Sequence, residues 1–195
     1  TTLSPQVLED ISRAKELADI VIVCPHWGTE YSSKASGYQK KWAEAMTEAG
    51  ADVIIGTHPH VVEPVEWITA ENGNEALCYY SLGNYVSSQK KAISMLEALA
   101  WVTFHVTEDD ITIDREHTGA LPLVCQYTAG PVRFQNVYLL EDYTEDLAAS
   151  HGIRNYGGVT LRLEDLQKWS DEILGDFVLT KDQALHNFKT DSINQ

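Results

Sequence analysis

Two short stretches concentrate the residue types that do chemistry, Pro25-His26-Trp27-Gly28-Thr29-Glu30-Tyr31 and Gly56-Thr57-His58-Pro59-His60. Each sets histidine just after an apolar run, Ile20 to Cys24 in the first and Val53 to Ile55 in the second. Neutral imidazole is the commonest protein ligand for zinc and also serves manganese and iron. A His-x-His pair on an extended loop lets two rings reach one ion or two neighbouring ions. A lone histidine after a strand is more often a hydrogen-bonded structural residue. It is His26 together with His58 and His60 that points to a divalent metal site.

Other polar residues near these stretches have two readings each. Glu30, four residues after His26, is either a group that orients an imidazole or a solvated loop acid. Glu30 or Glu63 could serve as a fourth ligand. Asn84, in Tyr80-Ser81-Leu82-Gly83-Asn84-Tyr85, could donate to an anionic ligand, although Gly-Asn is first of all a turn. Asp52 stands at the amino end of its strand, the wrong end for the site, and reads as structural. Trp27 and Tyr31 read as packing residues. His105, His117, His151 and His186 are isolated and are not candidates. No Gly-x-Ser-x-Gly elbow, phosphate loop or dinucleotide glycine fingerprint is present, so serine-hydrolase and nucleotide-binding readings have no support.

The elements that must position the histidines follow from periodicity. Ser4-Pro5 is a helix start, with Val7, Leu8, Ile11, Ala14 and Ala18 on one face. Ile20 to Cys24 reads as a strand buried on both sides and ended by Pro25. Tyr38, Trp42, Ala45, Met46 and Ala49 define a second helix stopped by Gly50, and Val53 to Ile55 a second buried strand. Helices alternating with short apolar strands indicate an α/β layer with parallel strands, whose polar loops gather outside the carboxyl ends. Both histidine loops leave from such ends and can meet.

From Val61 onward the pattern turns to β: Val61 to Ile68, a turn at Asn72-Gly73, Ala76 to Tyr80, Leu99 to Val106, Ile111 to Glu116 and Val132 to Leu140. Late helices are expected over Glu141 to Ser150 and through Leu163, Leu166, Trp169 and Ile173 to Gly175. Ser150 to Gly158 reads as a linker, which makes 1–150 one domain and 151–195 a helical appendage.

With 195 residues, 44% of them hydrophobic, the chain can bury a core. Its 29 acidic and 14 basic side chains leave a net charge of −15, which excludes binding that draws its affinity from neutralising nucleic-acid phosphates. Lys34, Lys40, Lys41, Lys90 and Lys91 read as solvated positions rather than an anion track. Cys24, Cys78 and Cys125 are too few and too far apart for a disulfide framework and read as buried thiols. No apolar run reaches the length of a membrane span.

Three ordered stretches, A-D-I-V-I-V-C-P-H-W-G-T-E-Y, G-A-D-V-I-I-G-T-H-P-H-V-V-E-P-V-E and Y-S-L-G-N-Y-V-S-S-Q, resemble the CapA-type capsule biosynthesis proteins. That family makes poly-γ-glutamate and has a fold related to the calcineurin-like metallophosphatases. The resemblance implies half of an α/β/β/α sandwich, with parallel strands followed by a β-rich part and carboxyl-terminal helices. It implies that His26 matches the isolated metal-binding histidine, and that His58 and His60 match the closing pair, one for each of two ions of Mn, Zn or Fe.

The family's amino-terminal motifs, of the kinds Gly-Asp, Asn-x-Glu and Asn-Asn-His, do not precede His26, so the chain reads as the carboxyl-terminal half of a longer protein with an incomplete site. Two cations about 3.5–4 Å apart need a bridging carboxylate, which three imidazoles do not provide. The implied partners are the missing amino-terminal half and an anionic polymer or phosphoester substrate. The implied location is the cell envelope, with any membrane anchor outside this chain. Two functions follow: a metal-dependent hydrolase in the intact protein, silent in this fragment, or a noncatalytic envelope component that binds or exports an anionic glutamate polymer.

Overall fold

The structure is a computed structural model that describes residues 3–130 and 135–190. The chain divides into two compact units, one up to Gly83 and one from Asn84, so His151 and the helices after it belong to the second unit. It is a mixed α/β protein with parallel and antiparallel pairing and carboxyl-terminal helices.

The first unit runs α1 (Pro5–Lys15), β1 (Ile22–Val23), α2 (Gly37–Glu48), β2 (Val53–Ile55), β3 (Val65–Thr69) and β4 (Glu75–Tyr79). The sheet order is β1-β2-β4-β3, parallel from β1 through β4, with β3 and β4 an antiparallel hairpin. Ser36 starts α2 with a reciprocal capping box to Gln39, which satisfies two backbone N–H groups that a helix start would leave unpaired. Ala43 and Met46 of α2 pack with Ile54 and Cys78 of the sheet, with Tyr80 just after β4 and with Ile11 of α1.

Asp52 is structural, as expected: its carboxylate accepts from Lys15 Nζ at 2.9 Å and from the Val21 N–H at 2.7 Å, joining the end of α1 to the start of two strands.

Two expectations fail at β1. The strand is two residues long and Ile22 is 52% exposed, because β1 is the edge of the sheet and among the described residues pairs only with β2. An apolar run reads the same whether a strand lies inside a sheet or at its rim. Cys24 is exposed for the same reason, whereas Cys78 and Cys125 are buried.

The second unit contains β5 (Leu96–Trp101), β6 (Phe104–Val106), β7 (Ile111–Ile113), β8 (Gly119–Tyr127), β9 (Gln135–Leu139), α3 (Glu145–Ser150), α4 (Leu163–Leu174) and α5 (Lys181–Thr190). The strands β5-β8-β9 form an antiparallel sheet and β6-β7 a hairpin. Residues 132–134 of the expected Val132 strand lie outside the described residues.

β8 was not foreseen, although all nine of its residues are buried. Among the described residues Pro122 pairs only with Ala98 of β5, and β9 joins β8 from Leu123 onward. At that position the ladder has one side, so a missing N–H is tolerated.

The expected linker is also corrected. His151, Gly152 and Ile153 are buried, and a 3₁₀ turn covers Gly152–Asn155. A Cβ on Gly152 would lie 2.7 Å from the Tyr127 ring, so that glycine marks a close approach and not flexibility.

Candidate functional site

The candidate site is made by the loops that leave the carboxyl ends of β1 and β2. Parallel pairing brings these ends to one edge of the sheet and continues as a bridge between His26 and Thr57. The Trp27 N–H donates to the Thr57 carbonyl at 3.0 Å, the Thr57 N–H to the Pro25 carbonyl at 3.0 Å, and the Tyr31 N–H to the Pro59 carbonyl at 2.7 Å. The two loops are thus joined by backbone hydrogen bonds along most of their length.

This joining brings the three imidazoles together. The His26 and His58 ring centroids are 4.7 Å apart and those of His58 and His60 6.1 Å apart, while Tyr31 stacks on His60 at 5.9 Å. Tyr31, His58 and His60 all have positive φ, at 64°, 108° and 61°. Non-glycine residues in that region cost about 1–3 kcal/mol each and persist only where the surroundings hold them, as functional sites do.

The holding groups lie close by. Trp27, 2% exposed, donates from Nε1 to the Tyr80 carbonyl at 2.8 Å and stacks on the Tyr80 ring. Gly56 lies against both: a Cβ there would stand 2.0 Å from the Tyr80 carbonyl oxygen and 2.3 Å from Trp27 Nε1. The Tyr38 hydroxyl accepts from the Gly28 N–H and donates to the Gly28 carbonyl. Trp27 therefore packs, as expected, and is not a binding platform.

The other candidates divide. Glu63 is fully buried, with Oε2 accepting from Gln39 Nε2 at 2.6 Å and Oε1 lacking a hydrogen-bond partner among the described residues. Burial pushes its carboxyl up to about 7, against the lowering effect of the Gln39 hydrogen bond. Glu30 is exposed.

Asn84 belongs to the second unit, where its N–H donates to the buried Glu97 carboxylate. Burial pushes Glu97 up to about 8, opposed by hydrogen bonds from Asn84 and Tyr85. Lys40 pairs with Glu66 at 2.9 Å, and Lys90 sits 4.8 Å over the Tyr156 ring.

His151 is buried between the Cys125 carbonyl, 2.8 Å from Nε2, and the Ile153 N–H, which donates to Nδ1, a structural role. The side chain of His186 lies outside the described residues. Gln39, absent from the residues read from the sequence, and Tyr38, read there only as part of the apolar face of α2, brace the loops. The Ser36-x-x-Gln39 capping pattern was the available signal for Gln39; Tyr38 had none beyond its apolar face.

The donor type suits a divalent ion. His26 Nδ1 lies 3.3 Å from Thr57 Oγ1, a partner that orients the ring and leaves Nε2 for coordination. The set is short in number: among the described residues no group of three or more His, Cys, Asp and Glu side chains is arranged to hold a metal ion.

The parallel α/β layer and its two histidine loops lie within the stretch of the chain that is similar to bacterial capsule synthesis proteins. Residues 2–89 match the family model described as bacterial capsule synthesis protein PGA_cap. The chain is 49% identical over 79 residues to the PGA biosynthesis protein CapA of Bacillus subtilis (strain 168), and 38% identical over 117 residues to the capsule biosynthesis protein CapA of Bacillus anthracis. These alignments take in 40% and 57% of this chain but only 20% and 27% of the relatives, so the chain spans less than a third of their length. The resemblance to CapA-type proteins read from the motifs is borne out, and the family match lies almost wholly within the first unit.

Proposed function

We propose that the first unit carries part of a metallophosphatase-like metal site in a capsule biosynthesis protein, with His26, His58 and His60 as its ligands. The observation that carries this reading is the convergence of three imidazoles from two loops, with neighbouring centroids at 4.7 and 6.1 Å. A bound Mn, Zn or Fe ion would supply Lewis acidity and activation of water. The chain's own residues hold the ligands: Thr57 orients His26, and Trp27, Gly56 and Tyr80 fix the loop roots. Three imidazoles supply no carboxylate to bridge two ions, so residues 1–195 by themselves are expected to be silent as a hydrolase. By its family the parent protein works at the cell envelope on an anionic polymer or phosphoester. No helix among the described residues is long and apolar enough to cross a membrane.

The test compares a longer version of the protein with its His58→Ala variant, each supplied with Mn²⁺ or Zn²⁺ and a phosphodiester or γ-glutamyl substrate. Turnover that is lost in the variant supports the hydrolase. Equal inactivity of both, with glutamate polymer still bound, supports the second reading, a noncatalytic polymer-binding component. That second reading is favoured by relatives whose names speak of biosynthesis.

A further inference from the structure

Gln39 and Glu63 are both fully buried and form an amide–carboxylate hydrogen bond of 2.6 Å. At its other end Gln39 Oε1 accepts from the Ser36 N–H at 2.8 Å and from Ser36 Oγ at 2.7 Å. Held at both ends, the Gln39 side chain has one orientation. Gly28 of the first histidine loop rests on it: a Cβ at Gly28 would lie 3.0 Å from Gln39 Nε2 and 2.7 Å from Pro59 Cγ. Pro59 sits between His58 and His60. Glu63 closes the same loop three residues on, its N–H donating to the Ser81 carbonyl at 3.0 Å.

One contact therefore joins α2, the His26 loop and the His58–His60 loop. Burying a carboxylate and an amide is an expensive way to fill space, and apolar side chains of like volume would pack with less cost. What a hydrogen bond adds is direction, and here the direction determines how closely Gly28 can approach Pro59.

We propose that Glu63 and Gln39 are the positioning pair of the histidine cluster, setting the distance of His26 from His58 and His60 through the Gly28–Pro59 contact. Glu63 serves as the acceptor for Gln39 and not as a ligand to an ion. The consequence for metal affinity rests on the metal-site reading above; the arrangement of the rings does not.

The test uses the whole chain, with two readouts at one fixed pH: the imidazole ¹⁵N resonances of His26, His58 and His60, and affinity for Co²⁺ alone. Glu63→Ala is expected to shift the resonances of rings on both loops and to weaken Co²⁺ binding by about tenfold or more. Glu63→Gln, which keeps an acceptor oxygen in place, is expected to restore both. Equal loss in Glu63→Ala and Glu63→Gln would overturn the proposal by showing that the charge itself is needed. Unshifted rings in a folded Glu63→Ala would overturn it as well. Should Glu63→Ala fail to fold, Gln39→Met decides, because rings unchanged there would also overturn the pair. A wild-type chain that takes up no Co²⁺ would show that the three rings do not hold an ion by themselves, and the ring resonances would still decide the positioning role.

Discussion

The imidazole of His26 lies 4.7 Å from that of His58, inclined by 54°, although the two residues stand on different loops after different strands. Their approach is a direct product of parallel pairing. Ile22 is in register with Val53 and Val23 with Ile54, and the same register carried forward sets His26 beside Thr57. Any change that separates the loop roots should therefore be felt at the rings.

Gly56 is the most sensitive of those roots. A methyl group there meets backbone, the Tyr80 carbonyl at 2.0 Å, and cannot be relieved by rotating a side chain. Gly56→Ala is expected to cost at least about 3 kcal/mol. Gly37→Ala, at the open start of α2 with nothing within 4 Å, should change stability by less than about 0.5 kcal/mol. Urea denaturation of the two variants checks the contrast.

Trp27→Phe keeps most of the apolar surface and removes the Nε1 donor to the Tyr80 carbonyl. A loss of about 1–3 kcal/mol is expected, the cost of a buried acceptor left unpaired. Leu at the same position should lose more, because the stack on Tyr80 goes too. Chemical denaturation of both variants gives the comparison.

The backbone at His58, with φ of 108°, is one that glycine adopts freely. His58→Gly should be more stable than His58→Ala by about 1 kcal/mol, even though both remove the ring. Equal stabilities in thermal melts would mean that no strain is stored at this position.

Glu97 makes stability depend on pH. Its carboxyl rises from 4.5 to about 8 on folding, chiefly by burial, so between these values the folded chain keeps a proton that the unfolded chain has released. Stability from this source is complete below pH 4.5 and is lost as pH rises towards 8, by up to about 4–5 kcal/mol over the window. Glu63, raised to about 7, acts with the same sign over a narrower range. Glu97→Gln should flatten the slope and leave the smaller Glu63 part, measured as urea midpoints from pH 4.5 to 8. An unchanged slope would remove Glu97 as its source.

Much of the first unit was legible because its signals are local. Apolar periodicity set out α2 and β2, Asn72-Gly73 the hairpin turn, and the position of Asp52 at a strand start its structural role. The His-bearing loops stood out because rare residue types followed apolar runs. β8 was hidden by Pro122, whose tolerance depends on how many neighbours the strand has at that point. The buried turn at Gly152 was hidden by its small and polar composition, which reads as a linker until Tyr127 is seen to pack against it.

By itself the sequence determined the α/β character, the parallel order of the histidine-bearing segments and the identity of the three imidazoles, since these depend on residue type and short-range spacing. Only the tertiary structure decided that β1 is an edge and Cys24 exposed, that Glu63 turns to Gln39, and that Gly28 meets Pro59. Burial and partner choice are set by residues distant in the chain, and no local pattern encodes which surfaces a fold will bring within hydrogen-bonding reach.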